Sequence, residues 1–292
     1  MATSLPAAVK DQCEKLLRTT VSAVFPVRGG DISVARRLET NRGTFFLKMN
    51  EAPQAHALFA AEAAGLELLA RAYALRLPAV QGHSTAEHGP VGWLLLEYIE
   101  SGPRSADFWS RFGESIATLH RTRHAQFGLA TDNFIGSLPQ SNRPHSQWCT
   151  FYIEERLLPQ IRLAETQAHF STADHQLFEQ LFVQLPTLLP DEPPALIHGD
   201  LWSGNFLSDE HGAPVLIDPA VCFASREMDL AMTRLFGGFD PLFYQAYQQA
   251  FPLLPGHEER QDLYQLYYLL VHVNLFGGGY VQSVRQILRR FR

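Results

Sequence analysis

Between Ile197 and Pro219 the chain reads His198-Gly199-Asp200-Leu201-Trp202-Ser203-Gly204-Asn205-Phe206-Leu207, then Asp209-Glu210-His211-Gly212, then Pro214-Val215-Leu216-Ile217-Asp218. No other stretch constrains the fold as strongly. Asn205-Phe206-Leu207 and Pro214–Ile217 are short apolar runs suited to strands, and the polar Asp209–Gly212 between them suits a turn. The pattern predicts a hairpin. Its length brings Asn205 and Asp218 to the same end, with Asp200 on the loop that leads in. Two carboxylates and an amide from separate positions would then converge.

That combination has a definite chemistry. One carboxylate can accept the proton of an incoming hydroxyl, while an amide and a second carboxylate can hold metal ions on a triphosphate. His198 follows the apolar Ala195-Leu196-Ile197, which suits a brace for the loop better than a reacting group. A metal hydrolase built on His198, Asp200 and Asp218 would need further ligands, and no second His joins them at helical or strand spacing.

Composition narrows the alternatives. The chain has 292 residues, 46% of them hydrophobic and 18% charged, with a net charge of −6. Such a length holds one large domain or two lobes. The acidic balance argues against nucleic acid as a partner. The paired Arg36-Arg37 and Arg289-Arg290 suit solvated surface positions. Cys13, Cys149 and Cys222 are too scattered for a disulfide framework or a zinc site, which fits a reducing, cytoplasmic setting. Met1–Pro6 lacks the basic and apolar regions of a signal peptide. Leu263–Phe276 is broken by Gln265, His272 and Asn274, so no membrane segment is expected. Oligomeric state is open, and a monomer is consistent with the sequence.

Along the chain, residues 11–24 read as a leading helix with Leu16, Leu17, Val21 and Val24 on one face. Arg28-Gly29-Gly30-Asp31 reads as a turn. Ile32–Thr40 and Thr44–Met49 read as strands joined through Asn41-Arg42-Gly43. A helix follows over 54–72, and Val91–Ile99 is an apolar strand. Glu100-Ser101-Gly102-Pro103 breaks the pattern and divides a nucleotide-binding lobe, residues 1–99, from a catalytic and substrate-binding lobe, residues 100–292. The fold class is α+β: a small sheet-plus-helix lobe and a larger, mainly helical one.

The first lobe carries the parts that would hold ATP. Lys48 ends the alternating strand Phe45-Phe46-Leu47-Lys48. In a kinase such a lysine reaches the α- and β-phosphates. On the next helix, Leu58, Phe59, Leu66 and Leu69 share a face with Glu62 in its middle. A carboxylate on an apolar stripe is costly unless paired, so Lys48 is its expected partner. Glu67 lies about 140° away around the helix and is expected in solvent. Gly29 and Gly30 would let backbone N–H groups approach phosphates. The strand end Glu97-Tyr98-Ile99 would offer backbone hydrogen bonds to adenine.

Further motifs complete the pattern. These are Asn133-Phe134-Ile135-Gly136-Ser137-Leu138-Pro139-Gln140, Trp148 with Phe151-Tyr152 and Arg156-Leu157, and Asp218-Pro219-Ala220. They also include Glu227-Met228-Asp229-Leu230-Ala231-Met232, Leu235-Phe236-Gly237-Gly238-Phe239 and His272-Val273-Asn274-Leu275-Phe276-Gly277-Gly278-Gly279-Tyr280. With the Asp200 stretch, these motifs give the chain a resemblance to the fructosamine-3-kinase (ketosamine kinase) family. That family has the protein-kinase-like fold, and the chain is more distantly similar to aminoglycoside phosphotransferases and choline kinases. The likeness runs from about Gly29 to Tyr280.

The resemblance implies ATP- and Mg²⁺-dependent phosphorylation of the sugar 3-hydroxyl of a ketosamine, small or protein-bound, after which the amine is released. It implies that Asp200 is the catalytic base, Asn205 and Asp218 the metal ligands, and Lys48 with Glu62 the phosphate-holding pair. By analogy with the kinase fold, Asp229 anchors the catalytic loop. Many members carry a Cys after the glycines of the phosphate loop. This chain has Asp31 and Ser33 there, so redox control through that loop is not implied.

Trp202 lies two residues from the proposed base, where an indole face suits sugar or amine packing. His272 and Asn274 alternate with apolar residues and are the other substrate candidates. Two other functions remain open on these residues. One is a small-molecule kinase of the aminoglycoside or choline type, which keeps every catalytic residue. The other is a nucleotide-binding pseudokinase, against which the intact Lys48, Glu62, Asp200, Asn205 and Asp218 speak.

Overall fold

The computed structural model describes residues 4–27 and 33–291. The chain forms α1 (Ala7–Leu17), β1 (Val21–Pro26), β2 (Val34–Thr40), β3 (Gly43–Asn50), α2 (Ala55–Ala70), β4 (Val80–His83) and β5 (Gly92–Glu97). It continues through α3 (Phe108–Leu119), β6 (Asn133–Ile135), β7 (Leu138–Gln140) and α4 (Trp148–Phe151). A π-helical stretch, Tyr152–Leu157, leads into α5 (Leu158–Thr166), and α6 (Thr172–Leu188) follows. The last elements are β8 (Ala195–Ile197), β9 (Phe206–Ser208), β10 (Pro214–Leu216), β11 (Cys222–Ala224), α7 (Glu227–Leu235), α8 (Pro241–Ala250), α9 (His257–Phe276) and α10 (Gly279–Arg290).

These elements gather into two compact units: Met1–Phe108 with Phe206–Pro219, and Trp109–Asn205 with Ala220–Arg292. The first unit therefore runs past Glu100–Pro103 and takes in the β9–β10 hairpin. The reason is a set of bonds that no linear pattern announces. Gly102 N donates to Ser208 O at 3.1 Å, and Ser105 N donates to Gly212 O at 3.2 Å.

The core of the first unit is an antiparallel sheet in the order β1-β2-β3-β5-β4. Alternation along its strands gives it two apolar faces. Leu38, Leu47, Met49, Trp93 and Leu95 meet Val9, Cys13 and Leu17 of α1. Leu94 and Leu96 meet Ala55, Phe59, Ala63 and Leu66 of α2. Two expectations change here. The helical face read over 11–24 stops at Leu17, and Val21 and Val24 become buried strand positions. Arg18 takes a left-handed φ of 52° and its N–H returns to Lys15 O at 3.3 Å, which ends the helix. The short strand Val80–His83, absent from the sequence reading, pairs with β5 at one edge of the sheet.

The second unit is mainly helical. Its core joins Trp148, Phe151 and Tyr152 to Phe178, Leu181 and Leu185 of α6 and to the inward face of α9. Short strands thread this core. β8 pairs with β11 antiparallel, Ile197 opposite Cys222, and β6 pairs with β7 through Gly136 at φ 58°.

Candidate active site

In the first unit, period-two alternation sends Lys48 to the α2 side of the sheet, opposite Ala35 and Leu94. There its Nζ donates to Glu62 Oε1 at 2.8 Å and to Asp218 Oδ1 at 2.6 Å. The side chains of Lys48 and Glu62 are 12% and 10% exposed, whereas Glu67 is exposed. Burial alone would lower the Lys48 pKa, but the carboxylates of Asp218 and Glu62 outweigh it and hold the ammonium above its ordinary value. Burial raises the Glu62 pKa, Lys48 pulls it down, and the Asp218 charge adds to the rise. The lysine is thus a fixed cation between two acids.

The hairpin that carries Asp218 forms as expected, with Phe206 opposite Leu216 and Ser208 opposite Pro214. Asp209 shapes its turn by accepting from His211 N at 2.9 Å and Ala213 N at 2.8 Å. Asp218 itself has φ 55°, a left-handed backbone that costs an L-residue of this kind about 1 kcal/mol or more.

The other expected groups of this unit have different surroundings. Glu97 N donates to Ala79 O at 2.8 Å and Tyr98 N to Thr44 O at 3.4 Å, so both N–H groups serve the sheet. The Glu97 carboxylate pairs with Arg76 at 2.8 Å, and the same guanidinium bonds Asp209 at 2.8 Å. Ile99 is buried. Gly29, Gly30 and Asp31 lie outside the described residues.

In the second unit, Asn205 Nδ2 donates to Asp200 Oδ2 at 2.9 Å and to Asp200 O at 2.8 Å. This fixes which way the amide points, with its nitrogen on Asp200. The loop is held from below by Asp229, fully buried, which accepts from His198 N at 2.7 Å and Gly199 N at 2.8 Å. His120, also fully buried, adds its Nε2 to the same carboxylate at 3.2 Å. Sequence reasoning missed His120; a histidine on a helix gives no sign of its distant partner. Gly199 sits at φ 85° with its α-carbon against Ala220, where an added Cβ would lie 2.0 Å from the carbonyl oxygen. The loop and the chain after Pro219 therefore pack backbone to backbone, sealed by Ala220 N donating to His198 O at 2.9 Å.

Trp202 is half-buried, and its ring covers Gly204, where a Cβ would meet it at 2.4 Å. It stands edge-on to Phe236 at 6.3 Å, and Phe236 contacts the His272 ring at 4.8 Å. Trp202 and His272 thus belong to one aromatic cluster, which Tyr280 joins at 5.0 Å from His272. Burial lowers the His272 pKa, and its Nδ1 donates to Tyr268 O at 2.8 Å, so Nε2 is the acceptor of a neutral ring. Asn274 is placed elsewhere. Its amide donates to Gln160 O at 2.9 Å and Gln160 Oε1 at 2.7 Å, which ties α9 to α5.

The donor set suits a hard cation. Asp218 offers a carboxylate and Asn205 an amide oxygen, which are donors of the kind magnesium takes rather than zinc. A different cluster, His145 with Glu154 and Glu155, gathers three groups of metal-ligand type. There Arg143 already bonds Glu155 at 2.9 Å and Glu154 at 3.0 Å, so it reads as an ion-pair network.

Comparison with known proteins shows the family of the chain. A family model described as fructosamine kinase matches residues 4–292. A Lactiplantibacillus plantarum protein assigned as a ketoamine kinase is 42% identical over 278 residues, covering 94% of this chain and 95% of its own. The chloroplastic protein-ribulosamine 3-kinase of Arabidopsis thaliana is 36% identical over 275 residues, covering 92% of this chain and 82% of its own. A crystal structure assigned as a fructosamine-3-kinase of Thermobifida fusca superposes with a TM-score of 0.88 at 35% identity, covering 97% of this chain and 98% of the other.

Proposed function

Starting from the membership of this chain in the fructosamine kinase family, we propose that it transfers the γ-phosphoryl group of ATP to the sugar 3-hydroxyl of a ketosamine. The observation that carries the reading is the Lys48 ammonium shared between Glu62 at 2.8 Å and Asp218 at 2.6 Å. A buried lysine gripped by two acids is a preorganised cation for phosphate oxygens. The relatives assigned as ketoamine and ribulosamine kinases supply the substrate class.

In this mechanism Lys48 neutralises charge on the α- and β-phosphates, and Glu62 keeps it in place. Asp200 orients the acceptor hydroxyl and takes its proton, with the amide of Asn205 fixing the carboxylate's rotamer. The carboxylate of Asp218 and the amide oxygen of Asn205 would hold Mg²⁺, which when bound offsets the charge that develops between the β- and γ-phosphates. Transfer is direct and in line, and no group of the protein is phosphorylated on the way. Glu97 and Ile99 would meet the adenine edge through backbone groups. Trp202 would pack on the sugar, and Nε2 of His272 would accept from one of its hydroxyls. Gly29 and Gly30, which lie outside the described residues, remain candidates for offering backbone N–H groups to the phosphates.

The setting in this reading is cytoplasmic. Its support is the set of free cysteines, Cys13, Cys149 and Cys222, two of them buried. Among the described residues no helix is long and apolar enough to cross a membrane.

The test is ADP release across an acceptor panel: fructosyl, ribulosyl and erythrulosyl amines, an aminoglycoside and choline. Turnover confined to the ketosamines is expected, and the preferred sugar length emerges from the same data. Turnover on the aminoglycoside or choline alone would move the chain to another small-molecule kinase class. ATP binding without turnover on any acceptor would make it a pseudokinase.

A further inference from the structure

The stretch Asn133–Gln140 is not explained by the chemistry above, yet its polar ends are buried. Asn133 and Gln140 are 6% and 3% exposed and face each other across the β6–β7 pair. Asn133 Nδ2 donates to Val221 O at 2.8 Å. Gln140 Nε2 donates to Ala220 O at 3.2 Å and to Asn133 Oδ1 at 2.8 Å.

The support continues inward. Asn142 Nδ2 donates to Asn133 Oδ1 at 2.8 Å, and Tyr267 OH donates to Gln140 Oε1 at 2.6 Å. Asn142 Oδ1 in turn accepts from Arg156 Nη2 at 2.7 Å. Arg156, 1% exposed, reaches it from the π-helical turn Tyr152–Leu157, with its guanidinium over the Phe151 ring at 4.5 Å. A π turn widens the helix locally and is retained where it serves a function. Each amide both donates and accepts, so the flips of all three are mutually determined. Such a fully satisfied buried chain is rigid, and a partly satisfied one is costly.

Its outer end is what matters. Ala220 and Val221 follow Asp218 with only Pro219 between, and proline has a fixed φ. Ala220 also lies against Gly199 and donates to His198 O. We propose that Asn133 and Gln140 are positioning residues that hold the carbonyls of Ala220 and Val221 and thereby fix the metal-ligating Asp218 permanently in its ligating conformation. Where many kinases set this segment by phosphorylating an activation loop, this chain sets it with a built-in amide brace. The inference rests on the kinase reading of Asp218 and Asn205, but not on the identity of the acceptor.

The test is the affinity for ATP with and without Mg²⁺, read by titration calorimetry on the full chain, alongside thermal unfolding. The variants are Asn133→Asp, which keeps shape and removes the donors, and the milder Gln140→Met. Ser225→Ala is the control. It removes a buried hydrogen bond to Tyr264, at 3.2 Å, in the same unit. Both brace variants are expected to lose about tenfold of the tightening that Mg²⁺ gives, as outer partners of metal ligands do. Their affinity for ATP alone should stay within about twofold of the parent. Ser225→Ala should lower the melting temperature and keep the full Mg²⁺ effect. Folded Gln140→Met with an undiminished Mg²⁺ effect would overturn the inference, as would a parent protein whose ATP affinity ignores Mg²⁺. A parent that shows the Mg²⁺ effect but phosphorylates no ketosamine would instead overturn the substrate assignment and leave the brace standing.

Discussion

At the scale of single residues, the Lys48 ammonium has the most depending on it. It pairs with two carboxylates, and it offsets the burial that penalises Glu62. Lys48→Met should destabilise the protein by about 3–5 kcal/mol at pH 8, the usual cost of leaving a buried charge unpaired. The loss should shrink in acid. Without the lysine, burial acts unopposed and the Glu62 pKa rises further above its unfolded value of about 4.3. A raised acid stabilises the fold below that unfolded value and loses the contribution as pH climbs through the folded one. Urea unfolding of variant and parent at pH 5 and pH 8 checks this. An equal difference at both pH values would show that Glu62 is not the strained partner. This pairing was legible in the sequence, because an acid in the middle of an apolar helical stripe demands a cation. Glu62 over Glu67 followed from helical period alone. The role of His120 was not legible, since its partner Asp229 is 109 residues away.

At the scale of elements, local pattern predicted the β9–β10 hairpin, the β2–β3 pair and α2 almost to the residue. It failed where the signal is shared. Val21 and Val24 continue a helical spacing equally well as strand residues, and only the turn at Arg18 decides. Val80–His83 has too few apolar residues to announce an edge strand. Capping was missed at α6, where Ser171 and Asp174 form a reciprocal box and Asp174 also pairs with Arg285 of α10 at 2.8 Å. The Arg285 hydrogen bonds hold the Asp174 carboxyl well below its ordinary value, burial opposes them, and Ser171 adds to the lowering. Asp174→Asn should therefore destabilise by about 1–2 kcal/mol at pH 7. A depressed acid stabilises above its unfolded pKa of about 3.9 and loses that contribution as pH falls through its folded value. The gap between variant and parent should close in strong acid. Thermal unfolding from pH 7 downward measures it, and a gap unchanged below pH 2 would contradict the assignment.

At the scale of the whole molecule, two compact units each carry some of the proposed site residues. The first carries Lys48, Glu62 and Asp218, and the second carries Asp200 and Asn205. The chain passes from second unit to first between Asn205 and Phe206, and back between Pro219 and Ala220. The sequence reading divided the chain once, near Glu100–Pro103, because composition changes there. It had no means of seeing that Arg76, Gly102 and Ser105 bind the β9–β10 hairpin into the first unit. Motif spacing singled out Asp200, Asn205 and Asp218, the proposed catalytic and metal-holding groups, because they lie close together in sequence. The amides of Asn133 and Gln140 bond carbonyls 88 and 80 residues away, and their residue types alone name no partner. Family membership and the Lys48 geometry lead to one account: a kinase whose acceptor is a ketosamine, with Asp200 proposed as its base.

Phosphorus NMR of a reaction with ATP, Mg²⁺ and one ketosamine, run on the parent and on Asp200→Ala, tests that account most directly. The parent should convert γ-phosphate into a phosphomonoester on the sugar 3-position, one for each ADP. The variant should bind ATP normally and form it about 10²–10⁴-fold more slowly, the share that a positioned base supplies. ADP without a phosphorylated sugar, or a variant as fast as the parent, would contradict it.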